Sequence, residues 1–159
     1  MAFKPRETKK FNKRVRVGQQ ISINDFVLDV SGQSPHLVGG RCKGCGNYTF
    51  PELSGCPKCA GVDIESVPLG TEGTLWGWTV QGFPPKSPPF LGDNDPKKFK
   101  PFGVGYVELP EVVVEARLAE TEPAKLKEGM AMTLILETLY KDDKGNDVVT
   151  FAFAPVDGR

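Results

Sequence analysis

Cys42-Lys43-Gly44-Cys45 and Cys56-Pro57-Lys58-Cys59 stand ten residues apart, and the rest of the 159-residue chain is laid out around them. Each Cys-x-x-Cys can turn back as a knuckle that aims two sulfurs at one point. Two knuckles supply four thiolates, the closed tetrahedral set that a structural Zn²⁺ prefers. Gly44 and Gly46 flank Cys45, and Gly61 follows Cys59, where backbone N–H groups must approach sulfur closely. Pro57 stiffens the second knuckle. Two disulfides would suit a secreted chain, but the opening Met-Ala-Phe-Lys-Pro-Arg has no apolar signal segment, which points to a reducing, cytoplasmic setting. One Cys-x-x-Cys alone would read as a redox pair. Two, with no further cysteine, read as zinc, with a rubredoxin-type iron site as the alternative. Four protein ligands leave no open position, so the metal is expected to be structural.

Upstream, the first twenty residues carry Lys4, Arg6, Lys9, Lys10, Lys13, Arg14 and Arg16 against Glu7. A basic arm of net +6 therefore precedes a body of net −6 in a chain whose formal charge is zero. A solvated tail is the plain reading; nucleic acid, a membrane surface or an acidic protein are the possible partners. Ile21, Ile23, Phe26, Leu28 and Val30 bring the first hydrophobic density, and Leu37 to Arg41 leads as a strand into the first knuckle. Tyr48 and Phe50 lie between the knuckles, where their rings are expected to cover the metal. No apolar run reaches the ~18 residues that a bilayer span needs.

Downstream, 14 prolines and 18 glycines across the chain leave little room for long helices, and short strands fit better. Thr74 to Val80 alternates Leu75, Gly77 and Thr79 against Trp76, Trp78 and Val80, with the tryptophans expected in the core. Val104 to Leu109 turns through Pro110-Glu111 into Val112 to Leu118. Thr121 to Glu128 reads as one helical turn with a threonine cap and Gly129 as its stop. Met130 to Leu139 and Val148 to Ala154 form the last pair. The expected class is mainly β: an N-terminal arm over 1–36, a zinc ribbon over 37–69, and an OB-type five-stranded barrel over 70–159.

Chemistry is scarce. His36 is the only histidine and reads as a packing or surface residue. The cysteines are claimed by metal, and no phosphate loop, nucleophile elbow or dinucleotide fingerprint is present. The long proline-rich stretch from Gly82 to Phe102 is the exception, because a loop of that length is often functional. Its Lys86, Lys97, Lys98 and Lys100, with Phe83 and Phe90, set apolar anchors beside positive charge and are the candidate ligand-binding residues of a lip that covers a ligand or docks a partner; a proline-rich surface loop packed on its own barrel is the equal alternative.

The succession Leu37-Val38-Gly39-Gly40-Arg41-Cys42-Lys43-Gly44-Cys45-Gly46, Phe50-Pro51, the second knuckle, Gly70-Thr71-Glu72-Gly73-Thr74-Leu75, Pro101 to Leu109, Lys127-Glu128-Gly129-Met130 and Phe151-Ala152-Phe153-Ala154-Pro155 resembles the DUF35 family. The resemblance covers about residues 20–155. It implies a helical N-terminal arm, a rubredoxin-like zinc ribbon and an OB-fold. It also implies an accessory subunit that assembles with a thiolase-like catalytic subunit bearing the catalytic cysteines and that borders the acyl-CoA. The narrower likeness within the family implies thiolytic cleavage of benzoylsuccinyl-CoA in anaerobic toluene degradation. The rival readings are an OB module that binds single-stranded nucleic acid, which the acidic barrel segment disfavours, and a scaffold that never touches ligand.

Overall fold

The computed structural model describes residues 19–86 and 94–156. The basic stretch over 1–18, any helix in it, and Phe90 lie outside the described residues. Ten strands and a single 3₁₀ turn make up the described chain: β1 (Gln20–Ser22), β2 (Leu28–Asp29), β3 (His36–Cys42), β4 (Tyr48–Thr49), β5 (Ile64–Pro68), β6 (Glu72–Gln81), β7 (Phe102–Glu108), β8 (Val113–Leu118), the turn Pro123–Lys125, β9 (Ala131–Lys141) and β10 (Asp147–Pro155). No described helix is long and apolar enough to cross a membrane.

The ribbon is built on β3, which pairs antiparallel with β2, β4 and β5. Gly39 lets two layers touch there. A methyl group on it would stand 2.7 Å from the Leu69 side chain and 2.9 Å from the Thr49 carbonyl. The barrel closes in the strand order β6-β7-β8-β10-β9 and back to β6, the five-stranded OB arrangement expected from the sequence. β1 runs parallel to the start of β10, with Ile21 opposite Val148. Residues 19–36 are thus woven into both modules: β1 extends the barrel sheet, and Leu28 of β2, only 1% exposed, is part of the core.

One hydrophobic cluster serves both halves. Leu28, Leu37 and Leu69 from the ribbon side pack with Leu75, Val107, Val114, Leu118, Met132, Val149 and Phe153 of the barrel. Phe50 meets Phe151 of β10 edge to face, with ring centroids 5.7 Å apart, so this ring packs on the barrel.

Two local expectations are corrected. The segment after β8 forms only the 3₁₀ turn, its cap position is Glu122, and no side chain caps it. The Glu120 carboxylate takes the free amides instead, accepting N–H bonds from Glu122 at 2.8 Å and Thr121 at 2.9 Å; the Glu122 bond first, then the Lys125 charge and the Thr121 bond, hold its pKa below the usual value. Gly129 ends the segment at φ +81°, the left-handed region that glycine fills without strain.

In the tight β9–β10 hairpin, Asp142 accepts the side-chain amide of Asn146 at 2.9 Å and the backbone amides of Asn146 and Lys144 at 2.8 and 2.9 Å. The Asn146 side-chain bond is the first cause of its lowered pKa, followed by the backbone bonds. A depressed carboxylate stabilises the fold above its unfolded pKa, and that stability is lost as pH falls through the folded value. Asp142→Ala is therefore expected to lower the melting midpoint at neutral pH, with fully buried Asn146 losing its partner. Melting curves recorded down the carboxylate range should show the gap between variant and wild type narrowing.

Candidate functional site

The two knuckles are near copies. The carbonyl of Cys42 accepts the amide of Gly46 at 2.8 Å, and that of Cys56 accepts the amide of Ala60 at 2.9 Å. Both fifth residues have positive φ, +73° at Gly46 and +58° at Ala60. The left-handed position of the second knuckle is thus an alanine, one residue before the glycine singled out in the sequence. Gly61 has a different use. A methyl group on it would lie 3.3 Å from the Cys59 sulfur and 3.6 Å from the Cys42 sulfur.

These turns bring the four predicted ligands Cys42, Cys45, Cys56 and Cys59 together, with all sulfurs within 4.8 Å of one another. Cys42 to Cys59 and Cys45 to Cys56 are each 3.6 Å apart. A disulfide would need ~2.0 Å. A tetrahedron with metal–sulfur arms of ~2.3 Å has edges of about 3.8 Å, so the quartet fits a bound metal and not two bridges. The neighbouring sulfurs also set the charge of Cys56 and Cys59 against each other. Burial pushes Cys56 up, but the amides of Cys59 and Lys58 and the neighbouring sulfurs outweigh it and bring it down to about 7. The Gly61 amide pulls Cys59 down, yet the sulfurs of Cys45, Cys42 and Cys56 push it up to about 12. A divalent cation removes that conflict by holding every sulfur as thiolate. The ribbon is therefore a structural metal site.

The loop candidates are placed differently. Phe83 and Lys86 are exposed on the outgoing limb, and Lys97, Lys98 and Lys100 are exposed on the returning one. Asp95 turns that second limb, its side chain accepting the Lys97 amide and its carbonyl the amides of Lys98 and Phe99. Phe99 then packs edge-on to Phe102 at 6.0 Å, which anchors the limb to the first residue of β7.

The sequence reading missed the outer face of β6, β7 and β8. Leu75 pairs with Val107 and Gly77 with Tyr106, so Trp76 is the extra residue of a β-bulge. The bulge breaks the expected alternation and turns Trp76 outward, 62% exposed, whereas Trp78 stands opposite Gly105 and is 36% exposed, so neither ring is sealed in the core. Trp76 meets half-exposed Tyr106 edge-on at 6.1 Å. Tyr106 lies directly across from Glu115 on β8 and donates its hydroxyl to that carboxylate; this bond, and then the charge itself, pushes the phenol pKa up. Trp78, Val104, Tyr106 and Glu115 help to line an open hollow of about 260 Å³. Next to it Arg117 is engaged within the chain, its guanidinium 4.5 Å from the Phe102 ring centre and its Nε 3.4 Å from the Glu137 carboxylate.

Comparison with known proteins agrees with this architecture. Residues 31–65 match the family model of the ChsH2 rubredoxin-like zinc ribbon domain, and residues 66–136 match that of the ChsH2 C-terminal OB-fold domain. The chain is 31% identical to benzoylsuccinyl-CoA thiolase subunit BbsA of Thauera aromatica, over 79% of this chain and 80% of that protein. It is 30% identical to a DUF35 domain-containing scaffold protein of Pyrococcus furiosus, over 76% and 83% of the two chains. A counterpart of that scaffold protein in Methanocaldococcus jannaschii is 27% identical over 74% and 78%. Among solved structures, the Ltp2-ChsH2(DUF35) aldolase superposes with a TM-score of 0.55 at 25% identity, over 76% of this chain and 84% of that one. Ribbon, barrel and relatives all agree: the chain belongs to the DUF35 family.

Proposed function

We propose that this protein is the non-catalytic subunit of a thiolase-type acyl-CoA complex, docked on the catalytic subunit and helping to enclose the acyl-CoA. The convergence of all four cysteines on one centre carries the reading. Acyl transfer through a thioester needs a free cysteine nucleophile, and this chain holds no fifth cysteine to supply one. The nucleophile then comes from a partner, as the likeness to a named thiolase subunit supports. Thiolytic cleavage of benzoylsuccinyl-CoA is the narrower assignment, by the same likeness. Zinc, held by Cys42, Cys45, Cys56 and Cys59, is the proposed ion, since a closed tetrahedral thiolate set suits it; rubredoxin-type iron is the alternative. Its work is structural. Lys86, Lys97, Lys98 and Lys100, with Phe83 and Phe90, are proposed to border the acyl-CoA, the lysines meeting phosphate or carboxylate. The complex is expected in the cytoplasm.

The archaeal relatives named as scaffold proteins favour a second reading, in which the chain only holds other proteins together. One purification separates the readings. The tagged chain, recovered from its native extract, is expected to bring a thiolase-like subunit in a stable heteromer with equimolar zinc on the ribbon. In that complex, Lys97, Lys98 and Lys100 changed together to alanine should raise KM for acyl-CoA severalfold and leave kcat unaltered. An unchanged KM would leave the scaffold reading. A clean monomer, or one carrying nucleic acid, would remove the thiolase assignment altogether.

A further inference from the structure

We infer that the outer face of β6, β7 and β8 receives an arginine side chain of the catalytic partner, gripped between Trp76, Tyr106 and Glu115. The inference rests on the subunit reading above and names the surface and the chemistry by which docking occurs. Exposed Trp, Tyr and Val residues scattered singly are ordinary. Here they lie together on three adjacent strands: Trp76 at 62% exposure, Tyr106 at 44% and Val113 at 45%, beside the hollow that Trp78 and Glu115 help to line. Aromatic residues of this kind anchor protein interfaces. The bulge is what turns Trp76 outward, at the expense of a regular ladder on β6.

Charge selects the occupant. Glu115 lies opposite Tyr106, and Glu108 lies two residues from Tyr106 on the same face, opposite Val113. Neither carboxylate pairs with a cation among the described residues; Arg117, two residues from Glu115 on the same face of β8, is engaged by Glu137 and Phe102. The face is therefore aromatic and negative. Phosphate chains, whether of nucleic acid or of coenzyme A, are repelled from it. A guanidinium meets every feature: its plane stacks on an indole, its positive charge faces the ring quadrupole, and its N–H groups reach the lone pairs of Glu115 that the Tyr106 hydroxyl leaves open. A lysine ammonium lacks the stacking plane.

The test is calorimetric titration of the purified chain with the purified catalytic subunit. Trp76→Ala and Glu115→Lys are each expected to weaken binding about tenfold or more. Tyr140→Ala, which removes a half-exposed ring on β9, should leave it unchanged. Added salt should weaken the wild-type complex more than the Glu115→Gln complex, because only the former holds the charge pair. Circular dichroism and metal content confirm that the variants are folded. Wild-type binding with undiminished affinity in Trp76→Ala and Glu115→Lys overturns this inference and leaves the subunit reading standing. A wild-type chain that does not bind the catalytic subunit overturns both. Binding of a single-stranded oligonucleotide that disappears in Trp76→Ala would assign the face to nucleic acid and likewise overturn the inference.

Discussion

Cys42→Ser is expected to strip the metal from the ribbon and to melt the barrel with it. A neutral hydroxyl cannot replace a thiolate in a closed sulfur shell, so the remaining three ligands are left with an open site. Metal binding contributes about 10–16 kcal/mol to the folding of comparable zinc modules, against a net stability of about 5–15 kcal/mol for a whole domain. The ribbon has little else to hold it: β2 and β4 are two residues long, and β5 is five. Its main apolar side chains, Leu28, Leu37 and Leu69, belong to the same cluster as Leu75 and Phe153 of the barrel. Unfolding the knuckles therefore opens the barrel core to water. Thermal melts followed by circular dichroism should show one transition, far below that of the wild type, and a strong chelator should reproduce it in the unaltered chain. A barrel transition at the wild-type temperature would show that the shared cluster does not couple the modules.

Phe153→Ala should have the second-largest effect, about 3–5 kcal/mol, from lost burial and the cavity left behind. Phe153 is 0% exposed, on the strand β10, where it stands between Leu118 of β8 and Leu134 of β9. Urea unfolding should show a lower midpoint with an unchanged slope, the sign of altered stability in an unaltered denatured state. The same measurement on Trp76→Ala should show little change. That contrast reverses what residue size alone suggests, because the larger ring is the exposed one. A loss below about 1 kcal/mol for Phe153→Ala would place the centre of the core elsewhere.

The cysteine spacing was legible because a knuckle is local: two sulfurs, two intervening residues and a turn suffice. The barrel was legible from short β-rich runs separated by turn residues. What escaped was set by partners distant in sequence. Nothing in Leu75-Trp76-Gly77 marks a bulge except the glycine, and the bulge exists only against the register of β7. Tyr106 and Glu115 become neighbours through the β7–β8 pairing, nine positions apart in the chain. Gly103 and Gly105 of β7 both face inward, and a methyl group on Gly105 would stand 2.9 Å from Leu75 and from Leu118, a demand set by side chains closing across the barrel. Phe50 packs on Phe151, a partner a hundred residues away that its own neighbourhood in the sequence does not announce.

The seam between ribbon and barrel also limits how such a chain can diversify. The two family models meet between residues 65 and 66, inside β5 (Ile64–Pro68), whose every residue pairs with β3. A crossover at that seam would join half a strand from one ancestor to half from another, and would pair Phe50 and Leu37 with a barrel that had not evolved beside them. Ribbon and barrel are two shapes but a single heritable piece, so new partners are more readily acquired by changing exposed positions such as Trp76 and Glu115 than by trading modules.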